Sequence, residues 1–408
     1  MNAQPALSFR QITATVAMTT AVQAFTAFAL AVAPVLAPVV APELGLRAAQ
    51  VGNLVALSFL AGILAGLASG TLILRYGPIG TFRIAIVLGA AGLAATAAAA
   101  VPLVIVYGFV GGFAHGLVNP PASQVLMQAA PERMRSLIFS IKQTGVPLGM
   151  ALAGVLLPSM LILFGWRQSV IALAAAALLF VFMLRPFYAL YDGERKPDAP
   201  LALAHIGQPL KVTMAEPALR QFVLYAGAFA LVQPCVTTYL VSFLHLEMGY
   251  SLIAAGLVFS ITNIASVVGR ILWGAVADWS GSPRRVLAVL GVMMGLCCLA
   301  AGLFSPDTPR AVVIAVCALW GASAVGWNGV YLAEVARLAP EGKVGAVTSG
   351  AQVFAFAGAV AAPPLFGLLA SASGGFSAAY LWLAALPLVI GVLLLGPVPR
   401  PRPVPAGR

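Results

Sequence analysis

Two stretches decide the fold: NPPASQVLMQAAPERMRSLIFSIKQTGVPLG (Asn119–Gly149) and NGVYLAEVARLAPEGKVGAVTSGAQVFAFAG (Asn328–Gly358). At an offset of 209 they align Asn119 with Asn328, Ala130 with Ala339, Pro131 with Pro340, Glu132 with Glu341, Gln143 with Gln352 and Gly149 with Gly358. Upstream, an offset of 204 aligns Glu43 with Glu247, Gly45 with Gly249, Gly52 with Gly256, Gly70 with Gly274 and Gly77 with Gly281. Chance supplies a few matches in an Ala- and Gly-rich chain, but it seldom places scarce polar residues in the same order. The chain therefore reads as two related halves.

The solvent of those halves follows from composition. Of 408 residues, 61% are hydrophobic and only 8% charged, and the mean hydropathy is +1.01. A soluble chain carries about 25% charged residues, so the environment is lipid. A membrane crossing needs about 20 apolar residues. Twelve segments qualify: 12–40, 51–73, 82–101, 103–129, 137–163, 169–188, 220–245, 251–275, 285–304, 310–336, 344–370 and 377–396. Pro and Gly fall inside these spans, where membrane helices tolerate them. Strand alternation is absent, which argues against a β-barrel. The expected fold is an all-α membrane protein, two six-helix pseudo-repeats at 1–190 and 220–400. A cytoplasmic linker at 191–219 and a tail at 401–408 complete it. The apolar run from Ile12 to Ala41 is too long for a signal-peptide core, so it reads as a retained first helix.

Basic residues set the orientation. With both termini cytoplasmic, 18 of the 22 Lys and Arg, Lys142 among them, fall on the inner side. Arg47, Arg167 and Arg310 fall outside, and Arg270 is left within the eighth span. This is the pattern of a bacterial inner membrane protein. The net charge of +11 is spread over short gaps between apolar runs, with no basic stripe carrying interleaved aromatics, so no nucleic-acid partner is expected. Cys235, Cys297, Cys298 and Cys317 have no metal-site spacing and read as small buried hydrophobes. No phosphate loop, nucleophile triad or dinucleotide fingerprint occurs, so neither an enzyme nor a cofactor is expected.

The eighth span ends in Gly274-Ala275-Val276-Ala277-Asp278-Trp279-Ser280-Gly281, followed by Arg284 and Arg285; the second ends in Gly70-Thr71-Leu72-Ile73-Leu74-Arg75-Tyr76-Gly77. With the repeat, these strings resemble the Gly-x-x-x-Asp-Arg-x-Gly signature of the major facilitator superfamily, over essentially the whole chain. Trp279 replaces the signature Arg in one copy, and Leu74 the acid in the other. The resemblance implies the major facilitator fold, a monomer, and a cytoplasmic latch made lopsided by the missing acid. Asp278, Arg284 and Arg285 would form that latch, with Gln143, Gln352 and Glu334 near the gate. The helix-4 Arg of the family is missing near Tyr107, which weakens a proton-antiport reading.

Arg270 is the most informative residue. Eight residues before Asp278, it lies about 12 Å deep, near the middle of a hydrocarbon layer about 30 Å thick. A cation there needs a partner or a wet cavity. Gly269-Arg270-Ile271-Leu272-Trp273-Gly274 resembles helix 8 of the monocarboxylate and oxalate/formate branch, where such an Arg binds the substrate carboxylate. The other reading is an Arg held by backbone carbonyls. Asn119 and Asn328 lie at matching depths and orient a ligand or join helices. Gln23, Gln233 and Tyr331 are further cavity candidates. His115 is a titratable group that either carries a coupling proton or bonds a carbonyl. No Asp or Glu lies at the centre of a span. Accumulating an anion in a negative-inside cell costs about 2.3 kcal/mol per charge per 100 mV, so import needs exchange, a coupled proton or a steep gradient. These observations lead to a secondary transporter for a small organic anion, monocarboxylate-like, working by alternating access in the lipid bilayer. Efflux of hydrophobic drugs or metabolites is the alternative.

Overall fold

A computed structural model describes residues 8–129, 131, 135–193, 195–198, 211, 213–215, 217–339 and 344–396. Regular structure among them is helical throughout. The helices are Phe9–Glu43 (α1), Val51–Thr96 (α2), Val101–Gly116 (α3), Asn119–Ala129 (α4), Arg135–Gln143 (α5), Gly145–Met183 (α6) and Arg185–Tyr191 (α7). After the linker come Pro217–Leu246 (α8), Leu252–Ser280 (α9), Pro283–Gly302 (α10), Arg310–Trp320 (α11), Asn328–Leu338 (α12), Val344–Ser373 (α13) and Phe376–Leu395 (α14).

Eleven described helical segments are long and apolar enough to cross a membrane, against the twelve expected. The difference lies in Ile141–Met183, a single stretch of 43 residues. At 1.5 Å per residue it is about twice the hydrocarbon thickness. It turns at Gly165, whose φ of 75° and ψ of 161° are not helical. Gly77, with φ 79°, breaks α2 in the same way just before Pro78. Large apolar side chains such as Ile162, Leu163, Leu179, Ile271 and Leu368 are exposed along the rods. In water such a surface would drive association, whereas lipid is its natural solvent.

The repeat offsets reappear in the backbone. Gly45 and Gly249 share a φ of 69°, and Gly77 and Gly281 have φ of 79° and 61°. A side chain is disfavoured in this left-handed region, so glycine at all four positions has one cause. Glu43, ending α1, accepts from Trp166 Nε1 at 2.7 Å, just after the Gly165 turn. Its counterpart Glu247, past the end of α8, accepts from Phe376 N and from Ser377 N at 2.9 Å, capping α14.

Two faces follow from the alternation of helices. The linker face carries the Gly77 and Gly281 turns and residues 192, 193 and 195–198; the opposite face carries the turns at Gly45, Gly165 and Gly249. Two tight crossings close the opposite face. At the α6–α9 crossing, a Cβ on Gly154 would sit 2.5 Å from Gly256 O, and Ser260 Oγ donates to Ala151 O at 2.7 Å. At the α2–α13 crossing, Tyr239 OH reaches Pro363 O at 2.6 Å and Ala49 O at 2.9 Å, over Gly52 and Gly367.

Candidate functional site

Two interrupted rods build the site. Between α3 and α4 the helix opens at Leu117–Val118, directly before Asn119-Pro120-Pro121. The prolines have no N–H to continue the ladder. The equivalent rod widens into a π-helix at Gly321–Val325 and resumes at Asn328. Local π segments of this kind recur at functional positions. Asn119 and Asn328 thus each begin the second part of a broken rod. They do not meet. Asn119 Oδ1 accepts from Lys142 Nζ, and Asn328 Nδ2 donates to Gln233 Oε1 at 3.1 Å.

Arg270 leaves α9 where that helix presses on the widened segment. A Cβ on Gly269 would meet Ala322 O at 2.5 Å, and Trp273 Nε1 donates to the same oxygen at 3.0 Å. Arg270 Nε donates to Val325 O at 3.3 Å, and Nη1 donates across to Gln143 O at 3.4 Å. Both bonds are longer than the usual 2.7–3.2 Å. A guanidinium has five N–H groups, and two of them are bonded among the described residues. Among the described residues no carboxylate pairs with Arg270.

Lys142 adds to the sequence reading. Counted with the inner-face bases, it is 3% exposed, between Asn119 Oδ1 and Gln143 Oε1, the latter 3.4 Å away. Burial costs an amine several kcal/mol unless it is well bonded, and here its partners are neutral amides. Among the described residues, Arg270 and Lys142 are thus two cations inside the helical bundle, and both touch Gln143. Nothing in the local sequence revealed this, because Asn119 is 23 residues away.

His115 Nδ1 lies 3.1 Å from Thr26 Oγ1, and Thr26 Oγ1 donates to Gln23 O at 3.1 Å. Gln23 is fully buried with neither amide atom partnered. An unmet buried amide costs about 1–3 kcal/mol. Gly145 lies against it, where a Cβ would be 2.9 Å from Gln23 Cβ. Tyr331 is buried and spends its hydroxyl on Ala351 O at 3.3 Å. Its ring packs on Trp327 and Phe222, with centroids at 5.1 and 5.8 Å.

The gate candidates separate. Asp278 and Arg285 are exposed. Arg284 donates to Leu394 O at 2.8 Å and Gly396 O at 3.1 Å, capping the end of α14. Glu334 is buried on α12, and the side chain of Gln352 lies outside the described residues. In the other copy of the turn, where Leu74 replaces the acid, Asp192 serves instead. Its carboxylate accepts from Ile79 N at 2.8 Å and Gly80 N at 2.9 Å, capping the rod that follows Gly77. Burial raises its pKa, while the two N–H groups and Arg83 pull it down. The sequence carries Asp192 among several charged residues at the start of the linker, and nothing in it singled this acid out.

The family model of the Major Facilitator Superfamily matches residues 17–354. The chain belongs to this superfamily of transporters. It is 27% identical over 309 residues to monocarboxylate transporter 11 of Mus musculus, covering 72% of this chain and 66% of that protein. The match to the human protein of the same name covers 63% of its length. A hexuronate transporter of Bacillus subtilis (strain 168) is 24% identical over 365 residues, 84% of each chain. A gallate transporter of Pseudomonas putida is 27% identical over 229 residues, 50% of this chain and 51% of that one. Among solved structures, a D-xylose-proton symporter superposes with a TM-score of 0.72 over 96% of this chain and 98% of its own, at 18% identity, and so shares the fold. The chain is a multi-pass membrane protein of this superfamily, and it spans just under two thirds of the length of the monocarboxylate transporter relatives.

Proposed function

We propose that this transporter moves a small organic anion across the bacterial inner membrane by secondary, alternating-access transport, with both termini cytoplasmic. One observation carries the reading: Arg270 sits between Val325 and Gln143 with unspent donors and no paired carboxylate among the described residues. A carboxylate bound there would replace two long contacts to neutral carbonyls with shorter bonds between opposite charges, which a guanidinium can make in pairs. The names of the relatives, which speak of monocarboxylates, hexuronate and gallate, support the same chemistry. Asn119, Asn328, Gln233, Gln23, His115 and Tyr331 make up the remaining wall. Asp278, Arg284, Arg285, Glu334, Gln143 and Gln352 act at the gate, Gln143 through its bond to Arg270. The units at 1–190 and 220–400 rock against each other about this site, as a monomer. Inward accumulation draws on an exchanged anion or a proton, for which His115 is the candidate.

Uptake of labelled carboxylates into proteoliposomes tests this, with Arg270→Gln beside the native protein. Native uptake that Arg270→Gln abolishes supports the reading. Equal uptake by both would assign Arg270 to structure, and transport of lipophilic compounds alone would assign the protein to efflux of hydrophobic compounds.

A further inference from the structure

We infer that Lys142 is a second anion-binding residue and that the preferred substrates carry two negative ends, as short dicarboxylates do; this rests on the organic-anion reading above. The argument is one of charge. Arg270 on α9 and Lys142 on α5 converge on a single neutral residue. Arg270 Nη1 donates to Gln143 O, and Lys142 Nζ donates to Gln143 Oε1, each at 3.4 Å. Neither cation has an ion pair among the described residues. One carboxylate would leave one of these charges uncompensated in a medium of low dielectric. Two carboxylates on one small molecule leave none.

Geometry suits the same occupant. Gln143 is exposed, although the lysine beside it is buried. Its two oxygens occupy the positions that two carboxylates would take. A dicarboxylate would displace the Gln143 carbonyl from Arg270 with one end. Its other end would displace Oε1 from Lys142, with Asn119 Oδ1 still holding the amine in place. Lys142 gives a compact point charge with rotatable donors, so it can follow an incoming carboxylate. The contact between α5 and α9 would then pass through the substrate, coupling its presence to the relation between the two units.

The test compares C2–C6 mono- and dicarboxylates by binding to the purified full chain, for the native protein, Lys142→Gln, Gln143→Glu and Arg270→Gln. The native protein should bind its best dicarboxylate at least tenfold more tightly than the monocarboxylate of equal length. Lys142→Gln should lose that preference, with monocarboxylate affinity held within about twofold. Gln143→Glu places a carboxylate between the cations. It should raise the melting temperature without ligand and weaken every anion at least tenfold. A native preference for monocarboxylates overturns the inference, as does an equal loss of both classes in Lys142→Gln. So does a Gln143→Glu protein that is less stable and binds normally. Each of these leaves the organic-anion reading intact. Unchanged anion binding by Arg270→Gln overturns that reading instead.

Discussion

The α6–α9 crossing should govern which face of the transporter is open, and Gly154→Ala is the perturbation that reads it. A Cβ at Gly154 would lie 2.5 Å from Gly256 O and close upon Ser260 Oγ. Neither neighbour is the loose end of a flexible chain, since Ser260 Oγ is tied to Ala151 O at 2.7 Å and to Gly256 O at 2.9 Å. Overpacking of this kind costs about 1–3 kcal/mol, and loss of the serine bond about 1 kcal/mol more. Only the arrangement in which the opposite face is shut bears this cost. Taking about 2 kcal/mol, the balance moves roughly 30-fold toward the arrangement open on that face. Spin labels on cysteines at Gln50 and Asp307, both exposed on that face, report it as a distance distribution. The four native cysteines are buried and stay unlabelled. Gly154→Ala should lengthen the mean distance. Gly274→Ala, where a Cβ meets nothing within 4 Å, should not. An unchanged distribution in a folded Gly154→Ala protein would refute the crossing as a closure.

Three further outcomes are expected. Asp192→Ala removes the cap over Ile79 and Gly80 and should cost about 1–2 kcal/mol of thermal stability. The raised pKa of Asp192 means that the folded protein binds its proton more tightly than the unfolded chain does. This contribution favours folding at low pH and is lost as pH rises through the raised value, so melting curves of native protein and Asp192→Asn should diverge across the weakly acidic range. Glu247→Ala strips two N–H partners from the start of α14 and should lower stability by about 1–2 kcal/mol, only partly restored in Glu247→Gln, whose single amide oxygen replaces one of two accepting oxygens. Asn328→Leu leaves Gln233 Oε1 without its donor at 3.1 Å and should cost about 0.6 kcal/mol, while transport falls if the pair orients substrate.

Much of the fold was legible because it rests on length and periodicity. Apolar runs long enough to cross a bilayer cannot hide, and the paired offsets mark turns whose glycines share one backbone need. The site was legible in part. Arg270 announces itself as a cation far from any acid on its helix. The opening before Asn119 was written in Pro120-Pro121, although the matching widening at Gly321–Val325 has no proline and follows from the close approach of Gly269 and Trp273 on α9. Lys142 was lost because a base near Arg133 and Arg135 looks like one more residue at the membrane edge. Its depth depends on helix phase and on Asn119, which only the packed structure supplies. Arg284 was read from its place after Asp278, and the sequence did not show that its fork reaches the open carbonyls at the end of α14.

The account rests on Arg270 as the anchor of an anion, and ligand-induced stabilisation measures that directly. A carboxylate present at 100 times its dissociation constant should stabilise the native protein by about 2.7 kcal/mol. The account predicts this shift for an organic anion, its absence in Arg270→Gln, and only partial recovery in Arg270→Lys, which keeps the charge but not the fork. The same shift in native protein and in Arg270→Gln would contradict it.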